Sequence, residues 1–246
     1  MPYAIQTAVP VGTLLLKCFP VHEPIKTDPM RTARANMIEN QIRAGGVHLQ
    51  SVFDALDAIC REDFVPSSCR AYAYADMEIP LPCGENMLAP LTEARILQAA
   101  DIRRNDTVLE IGSGSGYMAA LLSHGAQHVT TLEIEPFLAE TAANNLANYG
   151  IGNVTVVCEN GFSPERYVPE HPFDIIVLSG SVSVTHEPLV RHLSPNGKML
   201  FFLTENSRCR ACLLQKNPST EPDIRLLFDT FAKPLREQPP YSRFRF

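Results

Sequence analysis

Glycine stands at every second position of Gly112-Ser113-Gly114-Ser115-Gly116, with an apolar run on each side. Thr107 to Ile111 leads in, and Met118 to Leu122, good helix formers, leads out. Strand, tight glycine turn and helix is the local structure this order predicts. Glycine takes positive φ without strain and leaves bare main chain for a ligand to lie against. In an open α/β sheet such a turn sits at the carboxyl end of a strand, where ligands bind. One segment therefore narrows both the fold class and the place to look for function.

The spacing narrows the ligand. A dinucleotide fingerprint reads G-x-G-x-x-G and aims a helix N-terminus at pyrophosphate. Here the pattern is E-x-G-x-G-x-G, with Glu110 inside the strand. An acid there suits a ligand carrying positive charge and hydroxyls better than a phosphate. About twenty residues on, Val129 to Glu133 reads as the next strand and ends in a carboxylate, which can accept both hydroxyls of a ribose. This arrangement resembles that of S-adenosylmethionine-dependent methyltransferases. The resemblance implies S-adenosyl-L-methionine as cofactor, bound by Glu110, Gly112, Ser113, Gly114, Gly116 and Glu133.

Strand and helix patterns alternate along most of the chain. Thr32 to Ala44 has an amphipathic helical period closed by Gly45-Gly46, and Gln50 to Cys60 is a second helix. Tyr74 to Pro90 is rich in proline and reads as an extended loop, followed by a helix from Leu91 to Ala100. After Glu133 come a helix from Phe137 to Tyr149, closed by Gly150, and a strand from Val154 to Cys158. Phe173 to Leu178 has the unbroken apolar character of a buried parallel strand. A short helix from Pro188 to Leu193 precedes the turn Pro195-Asn196-Gly197 and a strand from Lys198 to Leu203. Strands at Ala211 to Leu214 and Ile224 to Thr230 follow. The predicted fold is α/β and Rossmann-like: a mostly parallel twisted sheet, helices on both faces and an added N-terminal helical region. Residues 1–29 carry five prolines and little period, and read as an irregular extension. Residues 30–246 read as one methyltransferase domain: helices and substrate loop over 30–100, a cofactor-binding core over 101–205 and C-terminal strands over 206–246.

Composition removes several classes of function. The net charge is −6 and no basic block is present, which argues against nucleic acid as partner. No apolar run reaches the length of about 18 residues that a membrane span needs, and the start lacks the basic region of a signal peptide. Seven cysteines without a framework suit reduced thiols in the cytoplasm. Cys209-Arg210-Ala211-Cys212 is a lone pair of thiols with no second pair to complete a zinc site, so no metal is expected.

Outside the glycine loop the resemblance narrows to one family. Arg61-Glu62-Asp63-Phe64-Val65-Pro66, Tyr74-Ala75-Asp76, Ile79-Pro80-Leu81 and Gly84 are similar to the N-terminal region of protein-L-isoaspartate O-methyltransferases. With Val108 to Tyr117, Asn153-Val154 and Phe173-Asp174, the similarity spans about residues 33–205. It implies isoaspartyl-containing peptides or proteins as substrate. It also implies Asn160 and Gly161 at the adenine and Asp76 in the substrate-facing segment, where a turn-forming aspartate is an equally good account. The acceptor half departs from the pattern. The family's Gln-Thr-Ile-Ser reads Glu85-Asn86-Met87-Leu88 here, so Leu88 stands where a serine hydroxyl lies near the substrate carboxylate. Gly-Asp-Gly reads Glu159-Asn160-Gly161, and Thr-Ala-Ala reads Ser179-Gly180-Ser181. His186, just after the fourth core strand, is the one of seven histidines near the pocket region, and reads as a surface or cap histidine before a catalytic one.

The chemistry needs little beyond positioning. A carboxylate acceptor, with an unperturbed pKa of about 4, is ionised at neutral pH and requires no general base. The chain has only to hold oxygen, methyl carbon and sulfur in line. The leading expectation is methylation of isoaspartyl carboxylates in damaged proteins. Methylation of a different acceptor, and a non-catalytic regulatory role for the bound cofactor, are the alternatives.

Overall fold

The structure, a computed structural model, describes residues 28–163, 172–184 and 187–236. Of the expected N-terminal extension only Asp28 and Pro29 fall among them, and His186 lies outside them.

Asp28 Oδ1 accepts the Met30 N–H at 3.0 Å and caps α1 (Pro29–Met37), which continues as a wider helical turn through Arg43. Helix α2 (Gln50–Ala58) follows. The expected loop from Tyr74 to Pro90 contains a small hairpin, β1 (Ile79–Pro80) against β2 (Asn86–Met87). Helix α3 (Pro90–Ala100) then leads into the core. Strand β3 (Thr107–Ile111), helix α4 (Tyr117–Gly125), strand β4 (His128–Glu133), helix α5 (Pro136–Tyr149) and strand β5 (Val154–Cys158) alternate as the apolar periods require. Strand β6 (Phe173–Val182), the short helix α6 (Glu187–Arg191) and strands β7 (Leu193–Glu205), β8 (Arg208–Gln215) and β9 (Asp223–Thr230) complete the fold.

The main sheet has seven strands in the order β5-β4-β3-β6-β7-β8-β9. Pairing is parallel from β5 through β7 and antiparallel at β7–β8 and β8–β9. The chain runs outward from β3 to β5 and then returns to lay β6 on the other side of β3. The carboxyl ends of β3 and β6 therefore form the point where strand order reverses, and a crevice opens there.

Side chains alternate across the sheet. Val108, Ile175, Val177, Leu200 and Phe202 face one core, which takes the buried sides of α2, α3, α4 and α5. Leu109, Ile111, Ile176, Leu178, Met199 and Phe201 face the other, where Leu189 of α6 packs. The same alternation separates the two thiols of the CxxC segment, for Cys209 packs on the first core and Cys212 in the second.

Two strands are longer than their apolar runs predict. β6 continues to Val182, where after a register shift Ser181 and Val182 pair with Phe202 and Leu203 of β7, and Ser181 exchanges backbone hydrogen bonds with Lys233 and Leu235 on its other edge, a pairing that no local pattern announces. β7 starts at Leu193 and absorbs the expected turn as an irregularity, with Asn196 at φ +66°.

One buried ion pair joins the N-terminal helices to the sheet. Arg61 is fully buried and pairs with Glu93 of α3. Its Nη2 donates to the Leu88 carbonyl at 2.6 Å, and its guanidinium lies over the Tyr117 ring at 4.9 Å. Burial pushes the Glu93 carboxyl up to about 7 although Arg61 pulls it down. Replacing Arg61 by Met strands a buried carboxyl and should cost about 3–5 kcal/mol of unfolding free energy in urea titration. The double variant Arg61→Met/Glu93→Leu should recover most of that loss. Equal destabilisation in the single and double variants would mean that the pair's charge is not what matters.

Candidate active site

Main chain, not side chain, shapes the floor of the crevice. Gly112 has φ +96° and Gly116 φ +86°. A Cβ at Gly112 would meet Leu235 Cδ2 at 2.9 Å, and one at Gly116 would meet the backbone of Ala142 at 3.2 Å. The first glycine therefore lets Leu235 pack against the loop, and the last lets α4 seat against α5.

The carboxylate ending β4 holds this loop in place. Glu133 Oε2 accepts the Gly114 N–H at 2.9 Å, and Oε1 accepts the Glu135 N–H at 3.0 Å. Burial raises the Glu133 carboxyl, and the amides that bond its charged form oppose the rise. Glu133 lines the cleft with Gly112 and Gly114.

Glu110 behaves differently from its expected part. It is fully buried, and its donors are hydroxyls rather than loop amides: Thr131 Oγ1 on one oxygen and Ser179 Oγ on the other, each at 2.7 Å. The loop amide goes to Glu133 instead. Ser113 Oγ lies 2.7 Å from Thr131 Oγ1, so the same chain of hydroxyls fixes the loop from beneath. With no charge partner, burial pushes the Glu110 carboxyl up to about 7.

Leu88 lies in the wall of the cleft, 6% exposed, beside the hairpin residues Glu78, Glu85 and Asn86. Asp76 is not brought to the cleft. It is exposed at the start of α3, where its Oδ1 accepts the Leu91 N–H at 3.2 Å, so the aspartate serves a helix terminus. Asn160 and Gly161 follow β5 and are not among the cleft-lining residues. Asn160 Oδ1 accepts the Phe162 N–H at 2.9 Å, and a Cβ at Gly161 would collide with Ile111 at 2.4 Å.

The remaining wall comes from a segment with no sequence signal at all. Ala232 to Arg236 crosses the end of β6: the Ser181 N–H donates to the Lys233 carbonyl at 2.8 Å, and the Leu235 N–H to the Ser181 carbonyl at 2.9 Å. Arg236 forms ion pairs with Glu85 and, at 3.1 Å, with Glu135, and it donates to the Cys83 carbonyl at 2.6 Å. Lys233 Nζ stands 3.8 Å from Glu85. The cleft is thus lined by the carboxylates of Glu78, Glu85, Glu133 and Glu135 against the cations of Lys233 and Arg236.

The shift at Glu110 has a consequence for stability. The folded carboxyl is raised from 4.5 to about 7, so the folded protein binds a proton that the unfolded chain has released. Stability must therefore fall as pH rises across that window, by up to about 1.4 kcal/mol per pH unit. Glu110→Gln should flatten this slope in urea titrations between pH 5 and pH 7, leaving the part due to Glu93. Superimposable slopes for the two proteins would refute the assignment.

Comparison with known proteins places this geometry. Residues 32–231 match the family model described as Protein-L-isoaspartate(D-aspartate) O-methyltransferase. A protein-L-isoaspartate O-methyltransferase of Methanoculleus marisnigri is 37% identical over 176 residues, 72% of this chain and 79% of the relative. One of Ignicoccus hospitalis is 36% identical over 179 residues, 72% of this chain and 84% of the relative. A Plasmodium falciparum chain described as a protein-L-isoaspartate O-methyltransferase, in complex with S-adenosyl-L-homocysteine, superposes with a TM-score of 0.72 at 19% identity. That superposition covers 86% of this chain and 100% of the other, and establishes the shared fold.

Proposed function

The chain belongs to the protein-L-isoaspartate(D-aspartate) O-methyltransferase family, and on that premise we propose how its cleft performs the transfer. The substrate is an isoaspartyl carboxylate in a damaged protein, and the cofactor is S-adenosyl-L-methionine. The observation that carries the reading is the Gly114–Glu133 hydrogen bond at the strand-order reversal, which sets a ribose-accepting carboxylate against a bare glycine loop. The carboxylates of Glu85, Glu133 and Glu135 in the cleft fit a cationic cofactor.

When bound, S-adenosyl-L-methionine supplies a methyl group on a positively charged sulfur leaving group. The chain's own residues do the positioning. Glu133 accepts the ribose hydroxyls, and Gly112 and Gly114 offer main chain for close approach. Asn160, with Gly161, offers an amide edge for a base. Glu110, Ser113 and Gly116 act beneath the surface by holding the loop's shape. Leu88 borders the incoming acceptor. The acceptor's ionised oxygen needs no base, so in-line placement is the main requirement. The net charge of −6 supports a protein rather than a nucleic acid as partner. Six free cysteines among the described residues support a reducing cytoplasm.

The direct test is methyl transfer to an isoaspartyl peptide beside its normal aspartyl twin. Transfer to the first alone is the expected result. Glu133→Ala should weaken cofactor binding in calorimetry by about tenfold or more, for a hydrogen bond to a charged group is worth about 1.5–3 kcal/mol. Restoring a hydroxyl by Leu88→Ser should raise isoaspartyl turnover, because a donor is added beside the acceptor. The altered residues Glu85 to Leu88 favour a second reading, methylation of another carboxylate. Turnover of a small carboxylic acid with none on either peptide would establish it.

A further inference from the structure

Leu88 leaves the acceptor without the hydroxyl that the family pattern supplies, and the hairpin shows what stands there instead. Ile79 pairs with Met87 and Pro80 with Asn86. One further step of that register sets Glu78 opposite Leu88. Directly opposed residues of an antiparallel pair point to the same face, with Cβ atoms about 4.5–5.5 Å apart. Glu78 and Leu88 both line the cleft. Glu78 Oε2 accepts the Asn86 Nδ2 at 3.1 Å, whereas its Oε1 is buried with no hydrogen-bond partner among the described residues. An orphan oxygen of this kind is costly unless something meets it. The terminal carboxyl torsion is soft, so a small rotation turns that oxygen to the cleft.

We propose that Glu78 binds the acceptor in this chain: as a neutral carboxylic acid it donates its O–H to the acceptor carboxylate, from across the hairpin, in place of the hydroxyl absent at Leu88. The assignment rests on reading the cleft as an isoaspartyl methyltransferase site. The proton stays on Glu78 throughout, and the acceptor's other oxygen keeps its lone pair for attack on the methyl carbon. Two carboxyl groups at hydrogen-bond distance cannot both ionise, so the arriving acceptor itself favours the protonated form.

The surroundings agree. Burial raises the Glu78 carboxyl above its ordinary range, while the Asn86 amide and the Lys233 ammonium pull it down. The charged groups around it are Glu85 of the hairpin turn, Lys233 and Arg236 of the C-terminal segment, and Glu133 and Glu135 beyond β4. Arg236 is committed to Glu85 and Glu135, which leaves it spoken for when a second carboxylate arrives. Ser179, the nearby hydroxyl, is committed to Glu110.

The test is the pH dependence of isoaspartyl peptide methylation by the full chain and two variants. In the parent protein KM for the peptide should rise about tenfold from the acid to the alkaline end of a pH series, as the donor proton is lost, with kcat nearly constant. Glu78→Gln replaces the acid by an amide donor that does not titrate, so its KM should stay low and flat over the same series. Glu78→Ala should raise KM about tenfold at the acid end, with cofactor affinity by calorimetry and melting temperature unchanged. A flat KM in the parent, or a Glu78→Ala variant with parental KM, overturns the role of Glu78 while leaving the methyltransferase reading intact. Cofactor binding without peptide methylation in all three proteins overturns both.

Discussion

The buried guanidinium of Arg61 is the interaction on which the rest of the architecture turns. It ends the N-terminal helical region, pairs with Glu93 of α3, caps the Leu88 carbonyl and lies over Tyr117 at the start of α4. Each of those partners borders the cleft or leads into it. A buried pair of charges contributes little net stability, because desolvating both ions offsets most of their attraction. What it contributes is position. The hairpin that carries Leu88 has two residues per strand, far too little ladder to hold itself in place. The charge-assisted bond from Arg61 to the Leu88 carbonyl fixes its end relative to the glycine loop.

Two glutamates of the core look alike on paper and do different work. Glu110 and Glu133 both belong to strands that flank the loop, and both are nearly or fully buried. Their neighbours separate them. Glu133 lies at the strand end and collects backbone amides, which stabilise a charged carboxylate. Glu110 lies one turn of the pleat deeper and meets only hydroxyls. A hydroxyl can donate or accept, so it tolerates either protonation state. Burial raises both carboxyls against the pull of their donors, and the outer one, which lines the cleft, keeps acceptor capacity for a ligand.

The acceptor side owes its character to residues far apart in the chain. Arg236 reaches Glu85 and Glu135 across intervals of many residues, and Leu235 fills the space that the missing Cβ of Gly112 leaves. The C-terminal segment thereby closes the side of the crevice that the parallel strands leave open. It also neutralises carboxylates that would otherwise repel an incoming anion. An acid-rich cleft can in this way hold a cationic cofactor at one end and accept a carboxylate at the other.

The sequence by itself determined the parallel core and the crevice at the end of its glycine loop. Those features are local: an apolar run of the right length makes a strand, alternate glycines allow a positive-φ turn, and an acid at a strand end faces a ligand crevice. It left Asp76 between a turn and a part at the acceptor, and the fold shows its carboxylate accepting the Leu91 amide at the start of α3. Tertiary structure alone decided which buried acid receives amides and which receives hydroxyls. It alone brought Ala232 to Arg236 onto β6, extended that strand to Val182, and set Glu78 across from Leu88. None of these follows from periodicity. Each depends on distances between segments remote in sequence, and those distances are set only when the sheet closes and buries its polar groups against one another.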